Sequence, residues 1–575
     1  MYPLTVGPLL RYDTVEAGVY HAFALIVTRH DAGIAVDALA PPSLYYAADH
    51  DEGTAYVAQG KQIYVYAEGA ERHVFWRFKI EVALGEAAQT ITYAVEGITQ
   101  PEEFVVPARS ENFRWAGHSC NGFSSGTPTE EWGGADPLWK DVLAEHARAP
   151  FHMVMGGGDQ IYNDPIVLIP ELRGWNEENN RVEAMKQPLT DEIVAGLDRY
   201  LFRHYVEWFG GGAFARVIAR IPMVNMLDDH DLIDGFGTYP DRLMTSPIFN
   251  AIGSRGFFFY LLFQQFTNDA EDYISNEPAG AGAGNPFRSY VIGGPGAYIP
   301  YPTHSILTYL GPQQYMLLID CRAQRRLRQV CAQDTYDRCR EAVLRLPDSV
   351  QHLVVQLGVP IAYPRMVLIE KLLSSRCNPV VFLAKKLLPK FTNNFNGQVE
   401  LLDDLNDHWC AVVHKHERNR LIESLHRLAL RKQVRISFIS GDVHAGGCSV
   451  FEDMRRISPA QDHKYMVAMI TSAIVNAPPP PPVITMVNAL ARKKHTTLHH
   501  IYTREYMLPL FERTPDGKTQ ANKFIVGARN WCAVEYALAS DELVMQLRVE
   551  KEKGSSDVAT YDVRVPAPRF RKKHD

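Results

Sequence analysis

Between Pro107 and the C-terminal region, apolar runs of about five to eight residues alternate with long amphipathic patterns, and this alternation restricts the fold more than any other feature. The runs are "FRWAGHSC", "FHMVMGG", "RIPMVNML", "QYMLLID", "HLVVQLG", "VRISFISG" and "KYMVAMITS". The helical patterns between them include "PLWKDVLAEHAR", "LTDEIVAGLDRYLFRHYVEWF" and "HERNRLIESLHRLALRK". A chain patterned this way builds an α/β domain. Ahead of it, from Tyr2 to about Val106, "HAFALIVT", "GKQIYVYAEG", "HVFWRFKIEVAL" and "QTITYAVEG" are rich in β-branched and aromatic residues and predict a small all-β sandwich. The division read from the texture is a β-sandwich domain over 1–107, an α/β domain over 108–545, and a C-terminal segment over 546–575 that ends in the basic tail "RFRKKHD". "NEPAGAGAGNPF" reads as a Gly/Ala/Pro loop, and "NAPPPPPV" as a stiff polyproline II segment rather than a linker.

Four of the runs end in side chains that bind metals. "GHSCNG" supplies His118 and Cys120, which share a face if the strand persists that far. "GGGDQIYND" supplies Asp159, Tyr162 and Asp164; "LDDHDLIDG" supplies Asp228, Asp229, His230, Asp231 and Asp234; "SGDVHAGG" supplies Asp442 and His444. Singly, each has an ordinary explanation: an Asp after Gly caps a turn or helix, and a buried Cys is a small hydrophobe. Together they carry more weight, because the carboxyl ends of strands in an open α/β sheet meet at a shared crevice. Carboxylates packed there repel one another and need solvation or cations. Oxygen, imidazole and thiolate donors in one place point to a two-metal site.

Composition narrows the function classes. At 46% hydrophobic and 22% charged residues, the chain has the make-up of an ordered globular protein. A formal charge of -7 offers no general attraction to nucleic acid or to an anionic membrane. No signal peptide is read at the N-terminus, and no apolar run reaches the ~18 residues of a membrane span. The eight cysteines form no CxxC pair, so the plain expectation is a reducing, cytoplasmic location.

"GGGDQIYND", "DDHDLIDG" and "SGDVH" resemble the motifs of the PhoD-like phosphatases (alkaline phosphatase D type), a branch of the calcineurin-like metallophosphoesterase superfamily. "GHSCNGFS", and "DDLNDHW" followed by "HERNRLI", further resemble a large eukaryotic-type branch, the match running from about Phe113 to Val475. The resemblance implies an αββα sandwich, two central mixed β-sheets flanked by helices, for residues 108–545. It also implies roles by position. Asp159 takes the place of the aspartate that bridges both metals; Asp229 becomes a ligand and His230 the catalytic acid or transition-state donor. Asp442 and His444 take the place of a terminal ligand pair, and Cys120 and Tyr162 match the thiolate and phenolate offered to a ferric ion. Two differences stand out. The superfamily opens with DxH where this chain has His118-Ser119-Cys120, and "HLVVQLGVPIAYPR" ends without a histidine, which leaves His118 and the metal identities open.

The function implied is a metal-dependent phosphomonoesterase or phosphodiesterase whose dinuclear centre activates a water for in-line attack on phosphorus. Its cofactors would be Fe3+ with a divalent cation, Ca2+ by resemblance, with Zn2+, Mn2+ or Mg2+ as alternatives. The alternative from another class is a noncatalytic metal-bound scaffold; a nuclease ranks third. Asp320 and Arg322 in "LLIDCR" stand as substrate-orienting residues or a structural ion pair, and Asp404, Asp407, His408 and Trp409 resemble a family motif near the site.

Overall fold

All seven apolar runs form strands in the computed structural model, which describes residues 2–36, 39–49, 55–272, 285–365, 407–513 and 518–570. Trp115–His118, Met153–Gly156 and Met223–Asn225 lie parallel in one sheet. Gln314–Leu318, His352–Leu357, Arg435–Ser440 and Met466–Ile470 lie parallel in a second. Antiparallel neighbours extend each parallel centre into a 10-stranded mixed sheet. The helical patterns also hold, as Asp136–Arg148, Asp191–Gly210 and Lys415–Lys432.

Strand alternation decides where the core lies. In the second sheet Leu353 and Val355 pack with Val343 and Ile422, from the helices Gln333–Leu344 and Lys415–Lys432. Val354 between them joins the cluster that holds Trp115, Val154 and Met223 of the first sheet. Successive side chains on a strand point to opposite faces, so one face of the second sheet meets helices and the other shares a core with the first sheet. Both faces being buried explains why these runs are continuously apolar.

The boundary expected at residue 107 does not divide the sheets. The N-terminal runs are strands, yet Leu4–Glu16, Val19–Asp31, Lys61–Glu68 and Glu71–Ala83 belong to the same sheet as Trp115–His118. Leu4–Glu16 pairs parallel with Met223–Asn225 through Arg11 and Met223. The remainder, Tyr56–Gln59, Ser43–Ala48, Gln89–Val95 and Glu102–Val106, form a separate 4-stranded sheet. Nor is 546–575 an appendage, because Glu542–Glu550 and Val558–Val565 close the other edge of the first sheet. The physical sign of this sharing is that Tyr20 through Thr28 are all buried, whereas an edge sandwich would alternate. The proline run also differs from expectation. Pro481 and Pro482 open a helix, Pro481–Ala491, where a missing N–H costs nothing. Most of "NEPAGAGAGNPF", all of 366–406 including Asp404, and residues 571–575 of the basic tail lie outside the described residues. Among the described residues, no helix is long and apolar enough to cross a membrane.

One buried ion pair ties a helix to the strand-end loop behind the site. Arg418 of Lys415–Lys432 donates to the Ile361 carbonyl and to Glu505 Oε2, both at 2.6 Å, while Arg365 reaches Glu505 Oε1 at 2.6 Å. Burial by itself would raise the Glu505 carboxyl, but the two arginines bring it from 4.5 down to about 2. A depressed carboxyl binds fewer protons folded than unfolded, so its stabilisation is complete above about pH 4.5 and is lost as pH falls towards 2. Glu505→Gln strands two guanidinium groups and should cost about 3–5 kcal/mol at neutral pH. Urea unfolding should also show a shallower acid dependence in the variant. The same acid dependence in both proteins would contradict this account.

Candidate metal centre

The three glycines at the end of Met153–Gly156 let the chain pass through space that no side chain could share. A Cβ on Gly158 would stand 2.7 Å from Asp228 Cβ, and Gly158 itself has φ of 118°. A Cβ on Gly122 would run into the Tyr162 ring, and one on Gly358 into the Asp228 carboxylate. Backbone therefore packs directly against the carboxylates and the phenol, which only glycine allows.

Beyond the glycines four of the candidate ligands occupy strained backbone. Cys120 (φ 53°), Asp159 (φ 56°), Asp442 (φ 70°) and His444 (φ 48°) are all left-handed non-glycine residues. Each such residue costs on the order of 1–3 kcal/mol and persists where its surroundings fix it. Here the fixing groups are visible. Asp231 Oδ2 accepts from Asp159 N (2.9 Å) and Asp228 N (2.8 Å), and its Oδ1 accepts from Gln160 N (3.1 Å) and Gln264 Nε2 (2.8 Å). Asp231 is thus an internal anchor. Ser472 Oγ accepts from His444 N at 3.0 Å and lies 3.1 Å from Cys120 Sγ, so it braces two candidate ligands at once. The strands end at His118 and Ser440, before Cys120 and Asp442, so the two-apart spacing of these residues does not act through strand alternation.

The structure brings the candidate residues into one place. Cys120 Sγ is 3.4 Å from Asp159 Oδ2, and Tyr162 Oη is 3.0 Å from His444 Nε2. Asp159, Asp229 and His230 present donor atoms within 4.8 Å of one another, and so do Asp228, Asp229 and Asp407. Asp442 lies near enough to Asp228, Asp407 and Asp229 for their charges to act on it, and its Oδ2 is 3.6 Å from His408 Nε2. His118 does not join them: its ring packs edge-on against Trp139 at 4.6 Å, and burial lowers it to about 3. Trp409 is a core residue. Asp320 caps a turn, accepting from His304 N, Arg322 N and Ala323 N.

His230 is held from two sides. Its Nδ1 lies 2.8 Å from Asp164 Oδ2, whose other oxygen accepts Asp234 N at 2.9 Å, and the Tyr162 ring stacks on the imidazole at 4.3 Å. Burial would lower its pKa, but the charges of Asp164 and Asp229, the Asp164 contact and then Asp159 raise it well above the usual histidine value. Asp164 lay in the glycine-rich motif, but nothing in the spacing assigned it to His230.

The electrostatics show what the donor set lacks. Burial pushes Asp159 far above the carboxylate range; His230 opposes this, and Asp229, Asp228 and Asp231 add to it. Asp442 is raised by burial and then by Asp228, Asp407 and Asp229. Cys120 and Tyr162 rise through burial and neighbouring negative charge. Arg322 pairs with Asp228, Asp229 and Asp407, and Arg325 with Asp407, but among the described residues no lysine or arginine pairs with Asp159 or Asp442. The Cys120 thiol, the Tyr162 phenol and the Asp159 and Asp442 carboxyls, held towards neutrality by burial, would ionise on a bound cation, and the neutral His444 imidazole offers a lone pair, so the residues present fit a metal.

Strand-end carboxylates with thiol, phenol and imidazole donors make a candidate metal site on an α/β fold. The profile of PhoD related phosphatases matches residues 82–380 and 381–561, and the chain belongs to that family. It is 34% identical over 527 residues to the uncharacterized protein YGR266W of Saccharomyces cerevisiae, spanning 83% of this chain and 73% of that one. The solved structure of PhoD shares the fold with a TM-score of 0.53 at 11% identity, over 99% of this chain and 93% of that one.

The glycine packing makes a direct prediction. Gly158→Ala should destabilise the protein by about 1–3 kcal/mol in denaturant unfolding, through its φ and its approach to Asp228. Gly174→Ala, on the helix Arg173–Asn176 with nothing within 4 Å of its Cβ, serves as the control and should leave the midpoint unchanged or slightly raised. Equal midpoints for both variants would refute the close packing.

Proposed function

We infer that the chain is a metal-dependent phosphoester hydrolase acting in a reducing, cytoplasmic compartment, and that Cys120, Asp159, Tyr162, Asp229, Asp442 and His444 hold two metal ions. A ferric ion suits the thiol and phenol, and a divalent ion, calcium by family resemblance, suits the carboxylates. The observation that carries this reading is the convergence of buried Asp159 and Asp442, which among the described residues no lysine or arginine side chain pairs with directly, with Cys120, Tyr162 and His444. The seven described cysteines are unpaired, in keeping with a reducing compartment.

Bound ions supply Lewis acidity and an activated water for in-line attack on phosphorus. His230, kept protonated by Asp164, gives its proton to the departing alkoxide from Nε2, because Nδ1 is committed to the carboxylate. Tyr162 limits rotation of the imidazole by stacking on it. A scaffold that merely bound metal would have no use for a buried imidazolium aimed by its own carboxylate, which favours hydrolysis over the noncatalytic reading.

His230→Ala should keep its metals while kcat falls by roughly 10²–10⁴-fold on an alkyl phosphoester. The loss should shrink on a nitrophenyl ester, whose leaving group scarcely needs protonation. Asp164→Asn should show the same leaving-group pattern more weakly, and turnover independent of His230 on every ester would refute its role.

Iron bound by a phenolate gives a visible charge-transfer band, so concentrated protein should be coloured and Tyr162→Phe should abolish the band. Cys120→Ser should lower the iron content. A colourless, iron-free and fully active protein would contradict the ferric assignment.

A further inference from the structure

Arg322 sits at the centre of the second acidic group, and its position there is unusual. The residue follows the strand Gln314–Leu318 of the second sheet, while Asp228 and Asp229 follow Met223–Asn225 of the first. Asp407 lies 85 residues beyond Arg322 in the chain, so the guanidinium joins three separate parts of it. Its side chain is wholly buried.

A guanidinium has five N–H groups in a rigid plane. Here each one is assigned. Nε donates to Asp228 Oδ1. Nη1 donates to Asp407 Oδ1 at 2.9 Å and to the Phe236 carbonyl at 3.4 Å. Nη2 donates to Asp407 Oδ2 at 2.5 Å and to Asp229 Oδ1 at 3.3 Å. No donor remains for a substrate phosphate, so Arg322 is neither exposed enough nor free enough to orient substrate. Asp320 fixes the turn, accepting Arg322 N at 3.0 Å and Ala323 N at 2.9 Å.

The same three carboxylates have the geometry of a cation site, with donor oxygens within 4.8 Å of one another. One further acceptor, Asp228 Oδ2, is buried and has no hydrogen-bond partner. Arginine stays charged at any pH the fold survives, so it serves as a permanent counter-ion.

We propose that Arg322 is the resident cation of the Asp228–Asp229–Asp407 group, filling the place a divalent ion would take among those three carboxylates and leaving bound metal to the donors around Asp159 and Asp442. Asp229 then lies on the border, one oxygen towards Arg322 and the other accepting Gly235 N at 2.7 Å. Arg322 acts as a positioning residue: it presents these carboxylates in one arrangement before any metal arrives. This assignment rests on the metal-centre reading above, but it makes a separate prediction about ion count.

The test is calcium binding by equilibrium dialysis of the full chain, alongside elemental analysis. Arg322→Met removes the charge and most of the fork while keeping an apolar stem. It should bind about one calcium ion more per chain than the wild type, because three carboxylates then face one another with Arg325 alone to balance them. Asp228→Asn in the otherwise unaltered chain should retain the wild-type ion count. An unchanged count in folded Arg322→Met, or loss of an ion from Asp228→Asn, overturns the proposal. Should Arg322→Met fail to fold, the Asp228→Asn count decides alone. A wild type with no metal at all would sink the hydrolytic reading, while a gained ion in Arg322→Met would still support the role of Arg322.

Discussion

Buried negative charge at the strand ends is the constraint to which the rest of the structure answers. Asp159, Asp228, Asp229, Asp407 and Asp442 are held together by backbone that cannot relax, with glycines at the closest approaches and left-handed residues at the ligand positions. Like charges about 4 Å apart repel by on the order of 4 kcal/mol at an effective dielectric near ~20, and burial adds to the cost. The chain meets part of this cost itself. Arg322 and Arg325 neutralise Asp407 and Asp228, and His230 with Asp164 forms an internal ion pair. What is left uncompensated is Asp159 and Asp442, beside the thiol, the phenol and His444.

That division gives the site two halves with different functions. On one side arginine charge makes the arrangement permanent and independent of ligand. On the other, the thiol, phenol and carboxyl donors are pushed towards neutrality by burial, so a metal bound there would draw off their protons and its binding would be pH-dependent. Both sheets contribute strand ends to the site, and Asp231 and Ser472 brace the turns that follow. The first sheet needs strands from both ends of the chain to be complete, which makes the centre depend on residues far from it in sequence.

The parts of this that could be read in sequence are those set by local periodicity. Each of the runs from "FRWAGHSC" to "KYMVAMITS" became a strand, because burial on both faces demands unbroken apolar sequence. The clusters at Asp159, Asp228 to His230, and Asp442 to His444 were visible because several strand ends carry them at once; any one alone reads as an ordinary turn or helix cap. Tertiary pairing was not visible. Leu4–Glu16 looks like any β-strand until its register against Met223 is known. Arg322 and Asp407 are 85 residues apart in the chain, so no spacing rule links them. His118 was left open by the sequence: two residues from Cys120 it would share a face if the strand persisted, but the strand ends there and the ring packs on Trp139.

The central claim is that bound metal supplies the charge that Asp159 and Asp442 lack. The most direct measurement compares the melting temperature and phosphoester hydrolysis of one preparation before chelation, after it, and after metals are restored. The account predicts that stripping lowers the melting temperature and abolishes hydrolysis together, and that restoring metal recovers both. Metal-free protein that melts at the same temperature and hydrolyses its substrate at the full rate would contradict it.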